Sequence, residues 1–215
     1  MWFEISPRRC GAGPAGGAII SMLQRAWRHA ANRLWTRPPR SLRYCGSWSS
    51  IHRPRRIEGP RFISVGAGTT ILSHASLSAI GRYADQAFEP RLTVGARVYI
   101  GRYCYITCCR SITIEDDCVL SEHVYITDLS HGFDPEGGPI LEQRLTSRGP
   151  VRIGRGTFVG YRACIMDGVA LGSHCVVGAN AVVTESFPEG SMVAGCPARR
   201  IRYYCASNKQ WVPAV

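Results

Sequence analysis

The sequence predicts an all-β solenoid in which short parallel strands wind around three flat faces. The first observation is a repeat. From Ile153 the chain reads in sixes, IGRGTF, VGYRAC, IMDGVA, LGSHCV, VGANAV and VTESFP, and every first position is aliphatic: Ile153, Val159, Ile165, Leu171, Val177 and Val183. Gly follows at Gly154, Gly160, Gly172 and Gly178, and the fifth position is small or modest, Thr157, Ala163, Val169, Cys175 and Ala181, until Phe187. The second observation is the period itself. Six matches neither the 3.6 of a helix nor the 2 of a simple strand. It fits a coil in which each hexad supplies a strand and a corner, and three hexads close one turn. The leading aliphatic residue then points inward, the fifth residue fills the remaining interior, and Gly at the corner allows backbone angles that cost other residues more.

Composition agrees with one such domain. The chain has 215 residues, 45% of them hydrophobic and 19% charged, enough for a buried core. The weakly polar run Gly11–Met22 is too short to cross a bilayer. A net charge of +11 points at first to nucleic acid, but residues 1–61 hold twelve Arg against Glu4 and Glu58, and the rest of the chain nets +1. The basicity therefore belongs to an N-terminal arm, residues 1–61, and no nucleic-acid partner is expected. Within that arm Leu23–Leu34, with Trp27 among its arginines, reads as a basic amphipathic helix suited to an anionic membrane surface; a solvated leader is the competing reading.

The solenoid is expected over residues 62–203. A weak start is legible at VGAGTT (Val65) and ILSHAS (Ile71). The frame is lost between Leu77 and Leu92, which predicts an insertion or irregular edge. It returns at Val94, Ile100 and Ile106, slips by two residues, and continues at Ile114, Leu120 and Ile126. The ten cysteines do not suggest a disulfide framework, since the chain is too long and too hydrophobic to need one and has no paired CxxC. With no convincing secretory signal after Arg8 and Arg9, the thiols are expected to be reduced and the location cytoplasmic. Cys104, Cys118 and Cys175 occupy fifth positions and read as small packing groups. Near the end Pro197 should interrupt strand pairing, Ala198–Tyr203 should cap the coil, and 204–215 is a tail.

The string IGRGTFVGYRACIMDGVALGSHCVVGANAVVTESFPEGSMVAGCPARRIR resembles the hexapeptide-repeat acyltransferases, most closely the O-acetyltransferases of sugars and surface polysaccharides. The resemblance covers about 94–202. It implies a left-handed parallel β-helix, a homotrimer, acetyl-CoA as acyl donor with no metal, and a sugar or glycan acceptor, with the enzyme cytoplasmic or peripheral at the inner face of the membrane. Competing functions are an acetyltransferase for a small molecule, such as an antibiotic or a serine-like acceptor, a zinc-dependent solenoid, and a non-catalytic scaffold.

After Ile126 the frame breaks into TDLSHGFDPEGGPILEQRLTSRGPV, whose Gly and Pro residues mark the loop 131–150. Such a loop on a rigid scaffold is a natural place for a site. His131 opens it, where the family keeps its catalytic histidine. Acetyl transfer to an alcohol needs a base for the hydroxyl proton, and an imidazole titrating near neutrality is suited to that work. Asp128 is expected either to orient the imidazole or acceptor, or to cap a turn. Glu122, Gln143 and Arg144 are further acceptor-site candidates, and Cys108 and Cys109 offer a less favoured thiolate nucleophile. The resemblance places the pantetheine arm of the donor along Gly160, Tyr161, Gly178, Ala179 and Thr184, and its phosphates at Arg199 and Arg202. This chain departs from the family with Glu185 where a basic residue is common, Phe158 where Trp is common, and Thr107, Cys108 and Cys109 where several relatives carry an Asn.

Overall fold

The structure, a computed structural model, describes residues 41–214. The expected helix Leu23–Leu34 lies outside them. The described chain forms the left-handed parallel β-helix, with three sheets as its faces. The first face stacks Tyr44–Cys45, Ile63–Val65, Arg91–Val94, Ser111–Ile114, Val151–Ile153 and Ala170–Leu171. The second stacks Ser50–Ile51, Thr70–Ile71, Tyr99–Ile100, Val119–Leu120, Phe158–Val159 and Val176–Val177. The third stacks Arg56–Glu58, Ser76–Ala79, Tyr105–Cys108, Tyr125–Thr127, Cys164–Ile165 and Val182–Val183.

Register follows the hexad frame. On the second face Ile51, Ile71, Ile100, Leu120, Val159, Val177 and Val193 lie directly above one another. Every hexad leader from Val65 to Val183 is at most 1% exposed. Each such aliphatic side chain contributes about 1.5–3 kcal/mol by leaving water, so the column is the main source of stability. The fifth positions also carry hydrogen bonds. Thr69 Oγ1 donates to the Gly95 carbonyl at 2.7 Å, Cys104 Sγ to Ser121 at 3.0 Å, Cys118 Sγ to Gly154 at 3.2 Å, and Cys175 Sγ to Pro188 at 3.2 Å. The buried thiols are therefore both packing groups and tethers between coils.

Burial pushes the Cys104 and Cys118 thiols up from the ordinary 9.0 to about 11. Between those values the folded chain holds protons that the unfolded chain releases, so stability is full below about pH 9 and is lost as pH rises toward 11. The expected slope is up to about 1.4 kcal/mol per thiol per pH unit. Denaturant titrations at pH 8, 9 and 10 check it: a Cys104→Ala/Cys118→Ala protein should show a flatter pH dependence than wild type.

Three expectations need correction. Tyr44–Glu58, assigned to the arm by charge, forms the first coil, in parallel register with the second. Five of the arm's arginines, Arg43, Arg53, Arg55, Arg56 and Arg61, therefore belong to the solenoid region. The second-position glycines do not serve by unusual backbone angles either. The left-handed conformation falls at the fourth position, on Arg97, Tyr103, Asp117, His123, Arg162, His174 and Asn180. Gly154 is required by close approach, since a Cβ there would sit 2.4 Å from the Gly172 carbonyl carbon on the next coil. Finally, Ala198–Tyr203 is no short cap. Ser191–Gly195, Ala198–Cys205 and Gln210–Pro213 form an antiparallel meander that extends the second face into the expected tail.

The lost frame between Leu77 and Leu92 is an insertion, with Arg82–Tyr83 paired antiparallel to Gln86–Ala87. No helix among the described residues is long and apolar enough to cross a membrane.

Candidate active site

Two excursions from the third face meet over one cavity. One is the insertion around Tyr83; the other is the loop opened by His131. The loop is closed at its base by a short antiparallel pair, Ser130 opposite Thr146 and His131 opposite Leu145. Beneath it Cys109, Leu129 and Leu145 form a small satellite core, against which Ile80, Tyr83 and Phe88 of the insertion pack. Gln86 completes the join, accepting from the Leu145 N–H at 2.7 Å and donating to the Leu145 carbonyl at 3.0 Å, as a neighbouring strand would.

The cavity holds about 520 Å³, within the range that takes a small ligand. His131 is half-buried in its wall, with Tyr105 and Tyr125 stacked at 5.9 Å and Thr107, Thr127 and Met166 along the face. Burial pushes the Tyr125 phenol up, so it stays a neutral donor at ordinary pH. His131 Nδ1 lies 3.3 Å from the Tyr83 hydroxyl, and no described residue bonds its Nε2. Among the described residues no group of three His, Cys, Asp or Glu side chains is placed to hold a metal ion.

Asp128 does not reach His131. It is fully buried, and its carboxylate accepts from the backbone N–H groups of Cys109, Arg110 and Ser111 at 2.7, 2.9 and 2.7 Å and from the Cys108 thiol. Of its two expected roles, the geometry is that of the turn cap. The turn it caps is the corner where the hexad frame slips by two residues, and the enlarged corner directs three N–H groups at one point. Asp167, which the sequence did not single out, holds the loop's exit in the same way, through the Arg148 N–H at 2.7 Å and its guanidinium.

The other candidates divide. Gln143 is a strut inside the loop, bonded to Asp134 N–H and to the Asp134 and Gly138 carbonyls. Arg144 pairs with Asp85 of the insertion at 3.5 Å, and Glu122 with Arg102 at 3.8 Å. Cys108 and Cys109 are buried. Burial and the Asp128 carboxylate push the Cys108 thiol far up, and Cys109 to about 12, which leaves almost no thiolate to act as nucleophile.

The donor candidates stand apart from the cavity lining. Gly160 and Tyr161 turn the corner between the second and third faces, and Gly178 and Ala179 turn it one coil later. Gly160 is also needed structurally, because a Cβ would meet Ala179 N at 2.7 Å. The Tyr161 ring is exposed and lies edge-on to His123 at 5.5 Å. Thr184 directly follows the last strand of the third face, and Arg199 and Arg202 are exposed on the meander. Arg199 is already paired with Glu185 at 2.9 Å, so the departure at 185 occupies one of the two guanidinium groups.

A family model described as the hexapeptide repeat of succinyl-transferase matches residues 91–128 and 150–185, breaking where the His131 loop leaves the solenoid. A protein of Escherichia coli K12 that carries the name of a lipopolysaccharide biosynthesis O-acetyl transferase, WbbJ, is 34% identical over 143 residues, which is 64% of this chain and 73% of that one. The chain belongs to the hexapeptide-repeat acyltransferases. Nodulation protein L of Rhizobium meliloti is 38% identical over 117 residues, 54% of this chain and 61% of its own, so the chain spans less than two thirds of that relative. Among solved structures, AntD, an N-acyltransferase of Bacillus cereus in complex with dTDP and 3-hydroxybutyryl-CoA, superposes with a TM-score of 0.65 over 78% of this chain and 86% of that one. At 19% identity that likeness is one of fold. In this hexapeptide-repeat acyltransferase the candidate site is built by the excursions as well as by the coil. Sequence reasoning missed Tyr83 and Gln86 because the insertion has no period, and its loss of frame was the only signal.

Proposed function

We propose that this acyltransferase moves an acetyl group from acetyl-CoA to a hydroxyl of a sugar or surface-polysaccharide precursor, with His131 as general base. The observation that carries the reading is the imidazole in the cavity wall, held at Nδ1 and unbonded at Nε2 by any described residue. Nε2 takes the proton of the acceptor hydroxyl as its oxygen forms the new ester bond. The imidazolium then returns that proton to the departing sulfur as the thioester bond breaks. The O-acetyl transferase name of the E. coli relative supports a hydroxyl acceptor of the sugar class. The donor's arm would follow Gly160, Tyr161, Gly178, Ala179 and Thr184. With Arg199 engaged by Glu185, Arg202 is left as the principal phosphate contact. The enzyme works in the cytoplasm, or peripherally at the inner face of the membrane, on precursors made there.

The test is incubation of the purified chain with labelled acetyl-CoA and a cell-envelope glycan extract, with His131→Ala alongside. Label recovered as a sugar O-acetyl ester only with wild type supports the reading; donor hydrolysis with no acetylated sugar overturns it.

The active form is a homotrimer in this reading. Its support is an outward stripe on the second face, where Tyr99, Val119, Phe158, Val176 and Met192 stand in register, the first three each more than a third exposed. An apolar stripe of that length on a small domain marks an association surface. Phe158→Glu, at its centre, should convert the trimer to monomer in light scattering; a trimer that persists would remove the stripe from the interface.

A further inference from the structure

The insertion supplies a second residue to the chemistry. We propose that Tyr83 is a positioning residue that fixes the tautomer of His131, holding the proton on Nδ1 and the lone pair on Nε2. This rests on His131 being the base.

A phenol carries one proton. Tyr83 donates it to the Leu141 carbonyl at 2.5 Å, an atom that can only accept. The Tyr83 oxygen therefore presents a lone pair to His131, and the 3.3 Å contact is made by Nδ1–H as donor. A neutral imidazole has one N–H, so Nε2 is left unprotonated, the state a general base requires. Without such a partner a histidine side chain prefers the opposite tautomer, with the proton on Nε2. The two rings also meet edge to face, with centroids 5.4 Å apart, which limits rotation of the imidazole.

The arrangement ties both ends of the site to one hairpin. Tyr83 reads the loop at Leu141 and His131, while Gln86, three residues on, grips Leu145 directly opposite His131. The insertion lies between the second and third coils, yet it sets the proton position on a residue that follows the fourth. It also explains why the excursion at 80–90 sits on the same side of the solenoid as the loop. Each segment has only a two-stranded antiparallel pair of its own, and side chains of both pack on the satellite core.

The test uses the full chain labelled with nitrogen-15 on histidine, the His131 signals being assigned by their loss in His131→Ala. In wild type, His131 should show a protonated Nδ1 and an unprotonated Nε2. Tyr83→Phe keeps the ring and its packing but removes the oxygen. It should lose that preference and lower kcat by about 10-fold, the kinetic equivalent of one hydrogen bond, with KM for acetyl-CoA unchanged. Gln86→Ala separates positioning from loosening of the loop, because it releases Leu145 and leaves the phenol in place; the wild-type tautomer should persist. A Tyr83→Phe protein with the wild-type spectrum and kcat overturns the proposal, as does loss of the tautomer in Gln86→Ala to the same extent. Turnover retained by His131→Ala instead overturns the base reading, a result distinguishable because it leaves the wild-type spectrum intact.

Discussion

Replacing His131 with alanine should lower kcat by about 100- to 10,000-fold and leave the thermal midpoint nearly unchanged. The range is what a positioned general base contributes, and among the described residues no second base stands in the cavity wall to substitute for it. Asp128 is engaged by three backbone N–H groups, and the Cys108 and Cys109 thiols are held protonated by burial and by Asp128 itself. The fold should tolerate the change because the imidazole is half-buried and its one hydrogen bond among the described residues is to Tyr83; the backbone pairing with Leu145 does not involve the side chain. Binding of acetyl-CoA should persist, since the donor candidates lie at the corner and on the meander. Steady-state kinetics with a sugar acceptor, a donor-binding isotherm and a melting curve together check the prediction. Loss of turnover with loss of the fold would not support the assignment, and near-normal turnover would remove it.

The solenoid was legible because its physics is periodic. A hexad leader must be buried wherever it occurs, so Ile153 announces the inward column as clearly in sequence as in space. The first coil was not legible for the opposite reason. Between Tyr44 and Glu58 only a few side chains face inward, among them Ile51, while Arg53, Arg55 and Arg56 decorate the outside, and the charge count overwhelmed a faint pattern. At the site, His131 was found by its place at the end of a broken repeat. Tyr83 was not, since its contact with His131 spans 48 residues and follows from the meeting of two aperiodic segments. Asp128 shows the limit of nearness in sequence. Three residues from His131, it suggested a catalytic pair, yet alternation along the strand and the reach of a short side chain turn it to the neighbouring coil. The clue was elsewhere, in the two-residue slip between Ile106 and Ile114, whose enlarged corner needed an acceptor.

That account of Asp128 makes the second large prediction, which concerns stability. Asp128→Ala would leave the N–H groups of Cys109, Arg110 and Ser111 without their acceptor at a corner where Cys109 is buried, Ser111 is half-buried and Arg110 is exposed. An unsatisfied buried donor costs about 1–3 kcal/mol, and the loss of an acceptor shared by three donors, one buried and two on partly exposed residues, should cost about 3 kcal/mol in total. For a chain of this size that corresponds to a midpoint lower by roughly 6–12 °C. Asp128→Asn is the informative comparison. It retains one oxygen but sets an amide NH₂ against donors that the second carboxylate oxygen accepted, so its midpoint should fall between wild type and Asp128→Ala. A capping residue moves the midpoint in both variants, and kcat measured well below the transition should stay near wild type in Asp128→Asn. A residue that orients the imidazole would do the reverse, lowering kcat at an unchanged midpoint. Melting curves and initial rates on the same two proteins therefore decide between the roles. The geometry predicts the first pattern because both carboxylate oxygens already face backbone N–H groups of the neighbouring corner, and neither is free to turn toward His131.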